Sequence, residues 1–315
     1  MKILTQRRFP LTRAFLHLVL IGLSVSWVTV QVVQAQEQVL YLGIVNDSGS
    51  PIMDIEADEV FVQWDGVNGE TLDLTRHNWP IRVTVFVDNS YDTLSGFQDL
   101  REGLSAFVSE LPDEVEVGLA TTTSRPTWVL GHTVDRDDLT RRINLISPRT
   151  GGAAFLDALV EAAGRLNGDD DRAYYPVIVM VSGDGPEIST STEGRVEEMI
   201  QRMILHSAEV HTLVWGRGMG TRNGAVQSRL GEIMAEQTRG SLDYFVDSVD
   251  VVNKLAKLGR DLANKHLLVS NQYRVSYRPP QNPSAQPAIE VLIRRAGLNS
   301  ILTLDGNIPA RMSQP

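Results

Sequence analysis

Between residues 79 and 265, short β-branched and apolar runs alternate with longer stretches whose apolar residues recur every three or four positions. Residues 82–87 (Arg-Val-Thr-Val-Phe-Val) and 176–181 (Pro-Val-Ile-Val-Met-Val) read as strands covered on both faces. Further strands are predicted over 115–121, 128–133, 210–215 and 242–246. Helical spacing runs over 95–110 through Leu100, Leu104, Phe107 and Val108, and again over 137–145, 155–166, 193–207, 226–238 and 249–264. Asp135 is placed to cap the second of these helices, and Arg239-Gly240 closes the fifth. Strands alternating with helices specify an α/β fold: a Rossmann-like, doubly wound, mostly parallel sheet covered by helices. Only 128–133, joined to its predecessor by a short polar link, is expected to run antiparallel, as a hairpin at one edge.

The pattern is different on both sides of this region. Strands at 39–45 and 59–63, with Val60 and Val62 alternating, are separated by the turn cluster Asn46-Asp47-Ser48-Gly49-Ser50-Pro51, and hairpin-type turns follow at Asp65-Gly66 and Asn68-Gly69. After the α/β region, 272–277, 288–294 (Ile289, Val291 and Ile293 on one face) and 301–304 return to a period of two. Neither flank is long enough to fold alone, so the two are expected to pair into a small β-sandwich. The expected organisation is a signal peptide over 1–35, an amino-terminal β segment over 36–78, the α/β domain over 79–265 and a carboxyl-terminal β segment over 266–315. No internal repeat is evident.

Residues 1–35 are read as an export signal. Lys2, Arg7, Arg8 and Arg13 precede an apolar run over 14–33, and Val33-Gln34-Ala35 forms a small-residue cleavage site before Gln36. The rival reading is an uncleaved anchor, since the run approaches the ~20 residues that span a bilayer. Either way, the rest of the chain is expected in the periplasm or at the cell surface. The chain has no Cys, which rules out disulfides, thiolate metal sites and Cys nucleophiles. Its formal charge is −10; beyond residue 35 the balance is 25 basic against 39 acidic residues, or −14. Such a surface repels nucleic acid and anionic lipid, and suits cations and basic partners.

In open α/β sheets, ligands bind outside the carboxyl ends of the strands. Three segments with carboxylates and hydroxyls fall there: Asp88-Asn89-Ser90-Tyr91-Asp92, Thr150-Gly151-Gly152-Ala153-Ala154, and Ser182-Gly183-Asp184-Gly185. Such a set suits a hard, oxygen-seeking divalent cation.

With these loops in this order, the chain resembles a von Willebrand factor A domain. The flanks 45–51, 59–66 and 272–279 are similar to those of a bacterial exported subfamily in which β regions precede and follow that domain. The resemblance implies a metal-ion-dependent adhesion site: Asp-x-Ser-x-Ser after the first strand, a Thr from a Gly-Gly-Thr-like loop, an Asp after the fourth strand, and an open metal position for a partner's carboxylate. Asp88 and Ser90 match. Asp92 stands where the second Ser is expected, Ala153 where the Thr is expected, and an extra Gly separates Ser182 from Asp184. The site is thus degenerate, with Asp88, Ser90, Asp92 and Asp184 as its remaining oxygen donors. Two readings stand: three carboxylates hold Mg²⁺ or Ca²⁺, or the site is vestigial and these residues cap turns and helices. Asn89, Gly152, Ala153, Ser182 and Glu187 complete the expected binding edge.

Other signals carry less. Gly216-Arg217-Gly218-Met219-Gly220 lacks nucleotide-loop spacing, the acidic run 169–171 lacks the further ligands of a calcium loop, and the six His show no metal spacing. Tyr174-Tyr175 looks exposed. The expectation is a non-enzymatic protein-binding module with no nucleic-acid partner and no small-molecule cofactor. The alternatives are a metal-assisted hydrolase on the same carboxylates and a metal-independent scaffold in an envelope assembly.

Overall fold

Four strands precede the α/β region: β1 (Gln38–Asn46), β2 (Val60–Trp64), the two-residue β3 (Val67–Asn68) and β4 (Glu70–His77). The computed structural model describes residues 37–90, 96–166, 174–216, 225–281 and 288–303. The expected export signal, Asp92, the acidic run 169–171 and the loop after Gly216 lie outside them. Among the described residues no helix is long and apolar enough to cross a membrane.

The central elements follow as β5 (Ile81–Val87), α1 (Phe97–Glu110), β6 (Glu116–Thr121), β7 (Thr127–Thr133), α2 (Arg136–Leu145), α3 (Phe155–Arg165), β8 (Tyr175–Gly183), α4 (Glu193–Leu205), β9 (Glu209–Trp215), α5 (Ala225–Thr238), β10 (Leu242–Phe245) and α6 (Ser248–Ser270). The sheet order is β10-β9-β8-β5-β6-β7, parallel throughout except for the edge strand β7. The expected α/β architecture, with its single antiparallel hairpin, is what the chain adopts.

Side-chain alternation assigns each central strand to two cores. Val83, Val85 and Val87 of β5 pack with Val117 and Leu119 under α1 and α6, where Leu104, Phe107, Leu255 and Leu262 are buried. Phe86, Ala120, Ile178 and Met180 point the other way, beneath α3, α4 and α5 through Phe155, Leu159, Met199, Met203 and Met234. Asp135 caps α2, its carboxylate accepting the amide of Asp138 at 2.9 Å.

The flanks meet as expected. β11 (Gln272–Arg278) pairs with β1 on one side and β4 on the other, and β13 (Leu298–Thr303) adds to β1, giving a sheet in the order β13-β1-β11-β4. β12 (Ile289–Ile293) joins β2 and β3 in a second, three-stranded sheet. Leu40, Leu42, Ile44, Val62, Trp64, Tyr273, Val275 and Tyr277 share one core between them. Trp79 links this sandwich to the α/β region: its amide donates to Val269 O at 3.1 Å, and its ring meets Tyr175 edge-on at 5.1 Å and Tyr41 at 6.3 Å.

Tyr175 differs from expectation, and His132 makes a contact that its place in the sequence does not announce. Tyr175 is buried, not exposed, because it is the first residue of β8 beneath Trp79. His132 has a partner: on β7 it packs edge-on to Trp128, and its Nε2 lies 2.8 Å from the Thr84 hydroxyl on β5. Burial, helped by the nearby positive charge of Arg82, pushes the His132 pKa down to about 4. The sign follows from that depression. The neutral ring is favoured in the folded state, so its contribution is fully present above the unfolded value of about 6.5. It is lost as pH falls from there toward 4, at up to about 1.4 kcal/mol per pH unit. Replacing His132 by Gln is expected to flatten the stability profile between pH 6.5 and 4 in urea titrations. An unchanged slope would show that His132 is not the titrating group.

Candidate functional site

The order of strands reverses at β5: β6 and β7 extend the sheet on one side, and the chain then returns to place β8, β9 and β10 on the other. A crevice outside the carboxyl ends of the strands opens at such a switch point, and Asp88 is the first residue past β5. Its amide extends the pairing with β8 by donating to Val181 O at 2.8 Å. Its carboxylate is buried, with Oδ1 accepting the Ser90 amide at 2.9 Å and Oδ2 the Gly183 amide at 3.1 Å. Asn89 bridges two loops: its side-chain amide donates to Ser147 O at 2.8 Å, and its Oδ1 accepts the Thr123 hydroxyl at 2.6 Å. Ser90 is fully buried and pairs along the backbone with Arg149. Asp92 lies outside the described residues.

The Gly151–Ala154 segment is laced to its neighbours by backbone hydrogen bonds. Ser124 N donates to Gly152 O at 3.0 Å, Ala154 N to Thr122 O at 2.9 Å, Ala153 N to Pro186 O at 3.0 Å, and Ile188 N to Ala153 O at 2.9 Å. Gly152 is required by this closeness, since a Cβ there would stand 2.5 Å from Pro186 O. The buried Ala153 serves as a splint between the Thr123 and Glu187 backbones. α3 begins at Ala154, which has no capping side chain. Glu187 caps it from another loop, accepting the Phe155 amide at 3.0 Å, the Leu156 amide at 3.4 Å and the Ser189 amide at 3.0 Å. Asp157 pins the same loop from below, accepting the Thr190 amide at 3.0 Å and the Ser191 amide at 2.9 Å. Burial works against its charge, but these donors outweigh burial and hold the Asp157 pKa below the usual carboxylate range.

The third loop explains the extra Gly. Gly183 is the last residue of β8, paired with Trp215 of β9, and the Ser182 hydroxyl is buried on Gly183 O at 3.0 Å. Asp184 is therefore one position further out. It is half-buried, and its amide donates to Trp215 O at 3.1 Å. Its carboxylate lies over Gly216, where a Cβ would come within 2.3 Å of Oδ2, on the β9 side of the edge. Thr122, which no sequence motif singles out, follows β6 directly, its amide donating to Val87 O at 3.0 Å. Its hydroxyl is buried with no hydrogen-bond partner among the described residues.

Residues 83–186, which contain all three loops, match the family model of the von Willebrand factor type A domain. The chain carries a von Willebrand factor type A domain. Among solved structures, the chain is similar to a von Willebrand factor type A protein from Catenulispora acidiphila, at 12% identity over 85% of this chain and 73% of that one, with a TM-score of 0.48. An aerotolerance-related membrane protein from Bacteroides fragilis matches at 15% identity over 57% of this chain and 99% of that one, with a TM-score of 0.44. Proximal thread matrix protein 1 from the mussel byssus, with a zinc-occupied adhesion motif, matches at 14% identity over 60% and 50%, with a TM-score of 0.46. No curated protein matches the chain.

Among the described residues, this edge offers only part of the ligand set that the resemblance implies. A hard divalent cation takes about six oxygens or more, waters included. The described part of this edge offers Asp88, Ser90 and Asp184. Both oxygens of Asp88 accept buried amides, Asp184 sits over Gly216, and the position of the expected Thr hydroxyl is the methyl of Ala153. Among the described residues, no three His, Asp or Glu side chains gather as a group able to hold a metal ion.

Proposed function

We propose that this protein is an exported, non-enzymatic binding module that receives a protein partner at the carboxyl edge of its A domain, through hydrogen bonds and apolar contact rather than a bound cation. A domains generally mediate protein–protein interaction. The observation that carries the reading is the use of the edge's polar side chains. Asp88, Asn89, Thr123 and Glu187 hold three loops to one another, which leaves a rigid rim instead of a reactive cleft. A surface fixed in its bound conformation loses little entropy on association. Ser124, Pro186 and Ile188 are exposed on that rim, Ile188 at 41%. The basic and apolar amino terminus supports export to the periplasm or cell surface.

Site-specific photo-crosslinkers at Ser124 and Ile188 are expected to capture the same partner in the producing cell. One at Val134, exposed in the turn between β7 and α2 at the opposite, amino edge of the sheet, should capture none. Equal capture from all three positions, or none from the rim, would place the partner elsewhere.

Unfolding of the full chain in EDTA and in Mg²⁺, Ca²⁺ or Mn²⁺ tests the metal-free part of the reading. A cation present at ~100 times its dissociation constant would add about 2.7 kcal/mol; the expected shift is none. Asp88→Ala is expected to cost about 2–4 kcal/mol in both media, because it strips two buried amides of their acceptor. A metal-dependent rise in melting temperature that vanishes in Asp88→Ala would overturn the metal-free reading and leave the rim assignment standing.

A further inference from the structure

The outer faces of α3 and α4 enclose a groove of about 600 Å³ that starts beside the rim and runs toward the amino end of the sheet. Four guanidinium groups line it: Arg125, Arg165, Arg195 and Arg202. Two are engaged. Arg165 is held by Glu161 at 2.7 Å and lies 4.3 Å over the Trp128 ring, and Arg202 is held by Glu198 at 3.1 Å. Asp157, at the groove mouth, spends its carboxylate on the Thr190 and Ser191 loop. Arg125 and Arg195 remain exposed, and neither guanidinium has an ion-pair or hydrogen-bond partner among the described residues.

Two unengaged arginines in one concavity stand out on a chain of net charge −10. Arg195 is also in the first turn of α4, three residues after the N-cap Thr192, where the helix dipole opposes a cation. A carboxylate placed between Arg195 and Arg125 would relieve that opposition and take the guanidinium fork that suits it. Between the charged positions, the groove wall is apolar at Val160, Ala163 and Met199. We infer that this groove binds an acidic peptide segment of a protein partner, with Asp or Glu carboxylates on Arg125 and Arg195 and aliphatic side chains between them. A long polyanion fits less well: two free cations on an acidic surface give little counterion release. The inference rests on the reading of the protein as a binding module, but it needs neither the rim nor a metal.

The test is fluorescence anisotropy of a labelled peptide alternating Glu with Leu, titrated with the full chain in EDTA at low salt. Saturable binding is expected, weakening as salt rises. Arg125→Glu with Arg195→Glu should weaken it at least tenfold while the melting temperature holds. Arg142→Glu, an exposed cation on α2 outside the groove, should leave it unchanged, and a Lys/Leu peptide of the same length should not bind. No saturable binding, equal binding by the double variant, or displacement by oligothymidylate as effective as by the peptide would each overturn the inference. The rim reading is decided separately, by crosslinking at Ser124 and Ile188.

Discussion

Replacing Gly240 by Ala is expected to destabilise the protein by about 3–5 kcal/mol. The chain leaving α5 passes directly over the start of β9. Thr238 Oγ1 accepts the Val210 amide at 3.0 Å, and Ser241 O accepts the Thr212 amide at 2.8 Å. A Cβ on Gly240 would stand 1.8 Å from Val210 O and 2.4 Å from Val210 C. Those are backbone atoms of a buried strand, so no rotamer change makes room. At ~2–4 °C per kcal/mol for a domain of this size, the melting temperature should fall by roughly 10 °C. Gly131→Ala, on the exposed side of β7 with nothing near its would-be Cβ, should stay within ~1 kcal/mol of the parent. Comparable melting temperatures for the two variants would show that the approach to Val210 is looser than described.

The same position shows what the sequence could and could not say. Arg239-Gly240 reads as a helix stop in which Gly supplies the left-handed residue. It is Arg239 that has φ +60°, and Gly240 is needed for its missing Cβ. The stop is local and legible, but its reason lies thirty residues away on β9. Strands behave similarly. β5 and β8 were evident because a strand buried on both faces is apolar without a break. β4 (Glu-Thr-Leu-Asp-Leu-Thr-Arg-His) carries no such run: Leu72 and Leu74 are only half-buried, and the strand exists because Val275 and its neighbours on β11 pair with it. α6 was expected to end near residue 264 but continues to Ser270. His266, in that last stretch, is bound into the structure: its Nδ1 accepts the Ile81 amide at 3.2 Å.

At the candidate site, sequence placed Asp88, Asn89, Ser90, Gly152, Ala153, Ser182, Asp184 and Glu187 on one edge, because topology alone sends the ends of β5 and β8 there. The work each residue does was hidden. Glu187 caps a helix that begins thirty-two residues before it, so no local capping signature exists to be read. Asn89 joins Thr123 and Ser147 through contacts thirty-four and fifty-eight residues apart. The groove arginines come from a hairpin and two helices, and nothing in their spacing announces that they share a wall.

Lys265→Met is expected to cost about 3 kcal/mol at pH 7, more than Glu209→Gln at the other end of the same ion pair. Glu209, only 5% exposed, starts β9 at the amino end of the sheet. Its carboxylate meets the Lys265 ammonium, accepts the Tyr175 hydroxyl at 3.0 Å and lies 3.1 Å from His211 Nε2; His211 Nδ1 is in turn 3.0 Å from the Ser241 hydroxyl. Burial alone would raise the Glu209 pKa, but the His211 contact and the Lys265 charge outweigh it and hold it at about 2. A depressed folded pKa gives stability that is present above the unfolded value of about 4.5 and lost as pH falls from there toward 2. The two partners are not equivalent. The Lys265 side chain is 26% exposed and can turn to water, whereas the carboxylate cannot. Removing the lysine strands a buried charge, the costly way to break such a pair, and Glu209→Gln leaves an ammonium that solvent can take. In Lys265→Met, burial then dominates and the Glu209 pKa rises, so the deficit against the parent should narrow as pH falls from 7 to 5. Urea titrations of both variants at those two pH values decide the point. A Glu209→Gln variant less stable than Lys265→Met, or a deficit that widens on acidification, would mean that this network holds β8, β9 and α6 by hydrogen bonding and shape rather than by its charge.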